Sequence, residues 1–274
     1  MSATTRFAPS PTGLLHLGHA HAALFAAREA GAEGSFLLRI EDIDASRCRE
    51  PFVQAIFDDL SWLGLSWPEP VRRQSAHMED YRAALARLDG MGLLYPCFCT
   101  RADIARAGDA PQGPDGPIYP GICHSLSVGQ RAERIAQGVP FALRLDMARA
   151  LAETGPLSWR DLDQGEIEAR PDDFGDVVLA RKDTPTSYHL AVSVDDALQG
   201  IDIVTRGMDL FPSTHVHRLL QALLGLPVPV WRHHPLILDE TGRRLAKRDN
   251  APSLRGLREQ GLSPEQVRRM AGFA

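Results

Sequence analysis

Arg6-Phe7-Ala8-Pro9-Ser10-Pro11-Thr12-Gly13-Leu14-Leu15-His16-Leu17-Gly18-His19 decides how this chain folds. Arg6-Phe7-Ala8 reads as a short strand. Pro9 to Gly13 is turn material, because proline pre-sets φ and glycine accepts conformations that other residues avoid. Leu17, Ala20, Leu24 and Ala27 then recur at helical spacing, and Gly31 is a natural C-cap. A strand passing through a tight turn into a helix opens an α/β unit. The helix start offers N–H groups and the positive end of a dipole, so it attracts phosphate. His16 and His19, three apart, share one face of that first turn. Gly18 has no side chain and lets a flat base approach the backbone. The pattern is not G-x-G-x-x-G, and Gly18 is followed by His-Ala rather than Lys-Ser or Lys-Thr, so neither the dinucleotide fingerprint nor the phosphate loop fits.

The α/β pattern continues outward. Phe36-Leu37-Leu38-Arg39-Ile40 is mostly apolar, as a buried parallel strand should be. Phe52, Ile56, Leu60 and Leu63 line one face of a helix with Pro51 in its first turn and Gly64 at its end. Met78, Tyr81, Leu85 and Leu88 mark another. This succession predicts a doubly wound, Rossmann-like parallel sheet. Near Tyr95 the character changes. Gly108 to Gly121 holds four glycines and four prolines, which is loop. Phe141 to Asp146 alternates like a half-exposed antiparallel strand. The division expected is a first catalytic half over 1–95, an inserted α+β subdomain over 96–180, a second catalytic half over 181–240, and a signature loop with a short basic helical segment over 241–274. In the second half the α/β pattern returns at Tyr188 to Val192 and Ile201 to Val204. A strong helix runs from a Ser213 cap to Gly225, and Ser263-Pro264-Glu265-Gln266 is a capping box.

The 274 residues are 44% hydrophobic and 24% charged, which suits a globular protein with a sizeable core and excludes disorder or coiled coil as the main description. No apolar run approaches the roughly 20 residues of a membrane span, and no secretion signal stands at the N-terminus. Four cysteines in such a chain are no disulfide framework, so a cytoplasmic location is expected. The net charge is −5, yet Arg243 to Ala274 carries eight basic residues against three acidic ones. Arg243, Arg244, Arg248, Arg255 and Arg258 therefore suggest an anionic partner there. Lysine occurs only as Lys182 and Lys247.

Three further sets of residues are candidates. Gly242-Arg243-Arg244-Leu245-Ala246-Lys247-Arg248 is a basic loop. Cys97-Phe98-Cys99 and Cys123 make an incomplete zinc set, to which chemistry alone would add His124. The pairs His215/His217 and His233/His234 do not converge with acids in sequence and read as surface or helix-capping groups. Cys48 stands alone and reads as inert.

Taken together, the H-x-G-H turn and the Lys247 loop resemble H-I-G-H and K-M-S-K-S, the signature motifs of class I aminoacyl-tRNA synthetases. Arg6 to Gly13, Arg39-Ile40-Glu41-Asp42-Ile43-Asp44, Tyr188 to Val192, Val194-Asp195-Asp196 and Arg206-Gly207 resemble the glutamyl branch. Full-length members continue into helical anticodon-gripping domains, whereas this chain stops 26 residues after Arg248. It is therefore similar to the truncated members, which lack an anticodon-binding domain. Those activate L-glutamate with ATP, without tRNA, and attach it to the queuosine of tRNA(Asp).

The resemblance implies roles residue by residue. His16, His19 and Lys247 would be catalytic, with Gly18 and Leu245 also at ATP. Arg6, Phe7, Ala8, Pro9, Ser10, Glu41, Tyr188 and Arg206 would hold glutamate, two arginines and one acid matching two carboxylates and one ammonium. Cys97, Cys99, Tyr119 and Cys123 would hold one structural Zn²⁺, Tyr119 taking the place that chemistry alone gives to His124. Mg²⁺ would arrive with ATP. Val192 replaces a usual asparagine, and Arg244 and Ala246 replace the first lysine and the serine of the second motif. The chain is expected to act as a monomer, away from membranes.

Overall fold

The computed structural model describes residues 2–106, 111–237 and 252–273. The chain begins with β1 (Thr4–Phe7), α1 (Leu17–Ala30), β2 (Ser35–Ile40), α2 (Glu50–Trp62), β3 (Arg72–Arg73) and α3 (Met78–Gly90). It continues with β4 (Leu94–Cys97), α4 (Arg101–Arg106), β5 (Gln112–Gly113), β6 (Gly116–Pro117), α5 (Val128–Ala136), β7 (Ala142–Leu145) and α6 (Met147–Thr154). Then come β8 (Ser158–Asp161), β9 (Gly165–Glu168), β10 (Val178–Ala180), α7 (Tyr188–Leu198), β11 (Ile203–Gly207), α8 (Ser213–Leu224), β12 (Val230–His234), α9 (Leu254–Glu259) and α10 (Pro264–Met270).

β1, β2 and β3 pair in parallel, as the apolar run of β2 predicts. β11, β12 and β8 also run parallel, and β9 closes that sheet as an antiparallel edge. The two sheets meet where Asp202 N–H donates to Thr4 O at 2.9 Å. The order is thus β3-β2-β1 beside β11-β12-β8-β9, and the chain reverses its winding between β1 and β11. Ligands of doubly wound sheets bind in the crevice beyond the strand carboxyl ends at such a switch point. Arg6 and Arg206 stand near those two ends.

The sequence-based divisions need correction. The stretch 96–180 is not one inserted body. β4, β7 and β10 form a separate antiparallel sheet, but the β8–β9 hairpin joins the parallel sheet through Trp231 opposite Asp161. The reason is Trp159, whose burial against Trp231, Val204 and Ile201 outweighs the charged residues around it. Arg144 to Asp146 are all buried, so the alternation expected over Phe141 to Asp146 fails in its second half. Ser213 is not a cap: α8 follows Pro212 with no side-chain cap, while its C-cap Gly225 sits at φ 59°. The Ser263–Gln266 capping box is present. The basic tail is no appendage. Leu254, Leu257, Val267 and Ala271 are buried with Ala20, Leu24, Ile56 and Leu60 of α1 and α2. Among the described residues, no helix is long and apolar enough to cross a membrane.

Candidate active site

A cleft of about 750 Å³ opens at the switch point. Arg6, Phe7, Ala8, Pro9, Ser10, His16, Gly18, His19, Glu41, Tyr188 and Arg206 all line it. The structure therefore brings together every residue expected at glutamate or ATP that it describes. Leu245 and Lys247 lie outside the described residues, as do Arg243, Arg244 and Arg248. The chain beyond them returns to this turn: Leu254 N–H donates to Leu15 O at 2.8 Å. Arg258 instead leans 3.9 Å from the buried Asp59 and over the Trp62 ring.

The first turn of α1 is capped by its own histidines. Gly18 N–H donates to His16 Nδ1 at 3.1 Å, and His16 N–H donates to His19 Nδ1 at 3.2 Å. This is a reciprocal capping box built from two imidazoles. With Nδ1 accepting in both rings, the hydrogen of each neutral imidazole is on Nε2. The rings stand 3.9 Å apart between centroids, tilted by 50°. Gly18 serves His16 first: a Cβ there would lie 3.0 Å from His16 Cε1.

Beneath the cleft lies a buried charge network. Asp196 receives both Nε and Nη2 of Arg6, at 2.9 and 3.2 Å, and Nη1 of Arg39 at 2.8 Å. Arg39 also reaches Glu41 at 3.3 Å and Gln199 at 2.9 Å. Asp195 takes Arg72, Gln74 and the Tyr81 hydroxyl. Burial pushes the Asp196 carboxyl up, but Arg6 and Arg39 outweigh it and hold it below the usual range. Burial raises Glu41 above the carboxylate range despite Arg39 and Arg6.

Arg206 is equally buried but has a different shell. Its Nε donates to His233 Nε2 at 3.3 Å, its Nη1 to His217 Nδ1 at 3.0 Å, and its Nη2 to Thr214 Oγ1. Among the described residues, no carboxylate pairs with it. Burial pulls its pKa down. The expectation of surface or capping histidines is thus overturned. His215, His217, His233 and His234 are all buried, and His233 Nδ1 lies 2.7 Å from Asp161 Oδ2. A usable signal was present: Val216, Leu219, Leu220, Leu223 and Leu224 make one apolar face of α8, and His215 and His217 stand at its two edges, where neighbouring elements bury them. Asp161 and Asp115, far away in sequence, gave no signal.

Away from the cleft, the sulfurs of Cys97, Cys99 and Cys123 lie within 4.8 Å of one another. Cys99 Sγ is 3.4 Å from Cys123 Sγ and 3.5 Å from the Tyr119 hydroxyl. Three thiols at this spacing suit a metal ion, since a tetrahedral site with bonds of about 2.3 Å separates sulfurs by about 3.8 Å. His124 is not among them, because its Nε2 meets Asp146 at 3.0 Å. The Arg144 guanidinium covers the Tyr119 ring at 3.8 Å. Cys48 is half-buried, with its thiol pushed up by burial.

Comparison with known proteins agrees with this architecture. The family described as tRNA synthetases class I (E and Q), catalytic domain, matches residues 2–272. A protein of Rhodobacter capsulatus named glutamyl-Q tRNA(Asp) synthetase is 52% identical, over 98% of this chain and 99% of that protein. Its namesake in Nocardia farcinica is 49% identical, over 96% and 81%. A crystal structure of a glutamate tRNA ligase from Elizabethkingia meningosepticum, in complex with its amino acid, superposes with a TM-score of 0.79 at 26% identity. That superposition covers 99% of this chain but 60% of the ligase, so the chain spans well under two thirds of that solved relative. With its cleft at the switch point, its histidine-capped helix and this match across nearly its whole length, the chain belongs to the class I tRNA synthetases of the glutamate and glutamine branch.

Proposed function

We propose that this chain activates L-glutamate with ATP and transfers it to the queuosine at the wobble position of tRNA(Asp). One observation carries the glutamate reading: Arg206 is a buried guanidinium facing the cleft with no acid paired to it among the described residues, so the substrate supplies the anion. Arg6, by contrast, is already paired with Asp196. The attacking α-carboxylate must keep its electron density for the α-phosphorus, so Arg206 takes the side-chain carboxylate. Glu41 receives the ammonium, and Tyr188 and Ser10 complete the pocket with the backbone of Phe7, Ala8 and Pro9.

An α-carboxylate oxygen then bonds to the α-phosphorus of ATP, the bond to the bridging oxygen breaks, and pyrophosphate leaves with Mg²⁺. No protein nucleophile is needed: the task is positioning and charge stabilisation. The Nε2–H pair of His16 and His19, with Lys247, would stabilise the phosphates. In the second step a hydroxyl of the queuosine cyclopentene-diol attacks the glutamyl carbonyl, AMP leaves and the hydroxyl proton is lost. The 99% and 81% coverage of the two glutamyl-Q relatives, against 60% of the solved ligase, favours queuosine over a tRNA 3′ end. The same reading gives a monomer in the cytoplasm. A structural Zn²⁺ on Cys97, Cys99, Cys123 and Tyr119 would tie the glycine- and proline-rich loop to β4.

Glutamate-dependent ATP–pyrophosphate exchange without tRNA tests the first step, and Lys247→Ala should slow it about 100-fold. Labelled glutamate should then enter tRNA(Asp) carrying queuosine and not tRNA(Asp) lacking it, with nuclease mapping placing it in the anticodon loop. Uptake indifferent to queuosine returns the chain to the ordinary ligases.

A further inference from the structure

The histidines around Arg206 form two chains of hydrogen bonds whose directions are fixed. Arg206 has only N–H to give, so His217 Nδ1 must accept. His217 then carries its hydrogen on Nε2 and donates to His189 Nδ1 at 3.1 Å. His189 in turn donates from Nε2 to Asp115 Oδ2 at 3.2 Å. On the other side His233 donates from Nδ1 to Asp161, leaving Nε2 to accept from Arg206 and from the Thr214 hydroxyl at 3.3 Å. Thr214 itself accepts from Arg206. Each imidazole nitrogen in this set thus has one role, donor or acceptor.

We infer that His217 and His233 are positioning residues that hold Arg206 as an un-neutralised cation, keeping its acids one or two imidazoles away. The inference rests on the proposed role of Arg206 in taking the glutamate side chain. A carboxylate in direct contact would fix the guanidinium as firmly, as Asp196 fixes Arg6, but would cancel the charge that the substrate must find. A neutral imidazole supplies the acceptor without the charge. Asp161 and Asp115 set the tautomers from behind, as acids do for metal-bound histidines. Burial and the Arg206 charge keep both rings neutral, with Arg6 on β1 and His189 on α7 adding to the effect at His217. The outer end of the longer chain, Asp115, lies between β5 and β6, on the loop that leads to Tyr119. An un-neutralised guanidinium also prefers a carboxylate to a carboxamide, so this arrangement sets glutamate against glutamine.

The test is a substitution series at His217, read by exchange kinetics. Asparagine places its Oδ1 where Nδ1 stands, so His217→Asn keeps an uncharged acceptor and should change glutamate KM about threefold at most. His217→Asp gives Arg206 a better partner and should raise glutamate KM about 30-fold, with ATP KM unchanged and melting temperature unchanged or higher. The preference for glutamate over glutamine should fall with it. His233→Gln and His233→Glu repeat the contrast on the other side. A purely structural role predicts the opposite order, with the acidic variants as good as wild type or better, and that result overturns the inference. If the acidic variants do not fold, histidine ¹⁵N spectra of the wild-type protein decide. His217 should be the neutral Nε2–H form and His233 the neutral Nδ1–H form at about pH 6, and an imidazolium at either position overturns it. Arg206→Lys separates the two claims: unchanged glutamate KM there refutes the role of Arg206 itself, whatever the histidines do.

Discussion

Arg6 and Arg206 stand near the carboxyl ends of neighbouring strands, are 4% and 6% exposed, and face the same cleft. Their surroundings differ completely. Arg6 is locked against Asp196 by two bonds and belongs to a network of two arginines and three acids under the sheet. Arg206 is held by imidazoles and a hydroxyl. Arg6 therefore serves the fold and the site together. Arg206 serves the site at the expense of the fold, because an uncompensated buried charge costs stability. Burial of a charged group alone does not separate structure from function; its counter-charge does.

That contrast breaks most visibly in activity. Replacing Arg206 by the unbranched, uncharged methionine should lower kcat/KM for glutamate by about 1,000-fold while leaving the melting temperature unchanged or higher. Arg6→Met should lower both, with a stability loss of about 3 kcal/mol, since Asp196 keeps only Arg39. Equal stability losses in the two variants, read by thermal melts, would erase the distinction.

Acid sharpens the comparison next. Burial lowers His233 to about 4, against Asp161, so the folded state stays neutral while the unfolded chain takes up a proton below about 6.5. Its stabilising effect is complete above about pH 6.5 and lost progressively down to about pH 4, a change of about 3 kcal/mol. Denaturant titrations of His233→Gln should show that slope removed. Asp196 is depressed, so its share is complete above about pH 4 and lost only as pH falls through its lower folded value. The two networks should therefore fail in separate pH windows. Removing the Cys123 thiol, as Cys123→Ala, should take bound zinc from about one per chain to near none, measured by metal analysis, and leave exchange within about threefold. The smallest effect is expected from Gly18→Ala: His16 must shift by a few tenths of an ångström, and exchange should fall about twofold without a change in glutamate KM.

The sequence by itself determined the α/β frame, the phosphate-attracting turn, and the residues that gather at the cleft. These are local facts. Strand, turn and helix periodicity are written over a few residues, and the separated stretches resembling the glutamyl branch supplied Glu41, Tyr188 and Arg206. Tertiary structure alone decided what surrounds those residues. The β8–β9 hairpin left the expected inserted subdomain because Trp159 finds Trp231 across the sheet. Gly18 makes room for the ring of His16, two residues earlier, rather than only for a ligand. His233 and His217 looked dispensable in sequence because the acids that end their chains are distant: Asp161 lies 72 residues from His233, and Asp115, reached from His217 through His189, lies 74 residues from His189. Hydrogen-bond direction depends on which donor meets which acceptor after the chain has closed on itself. No pattern over a few residues contains that information.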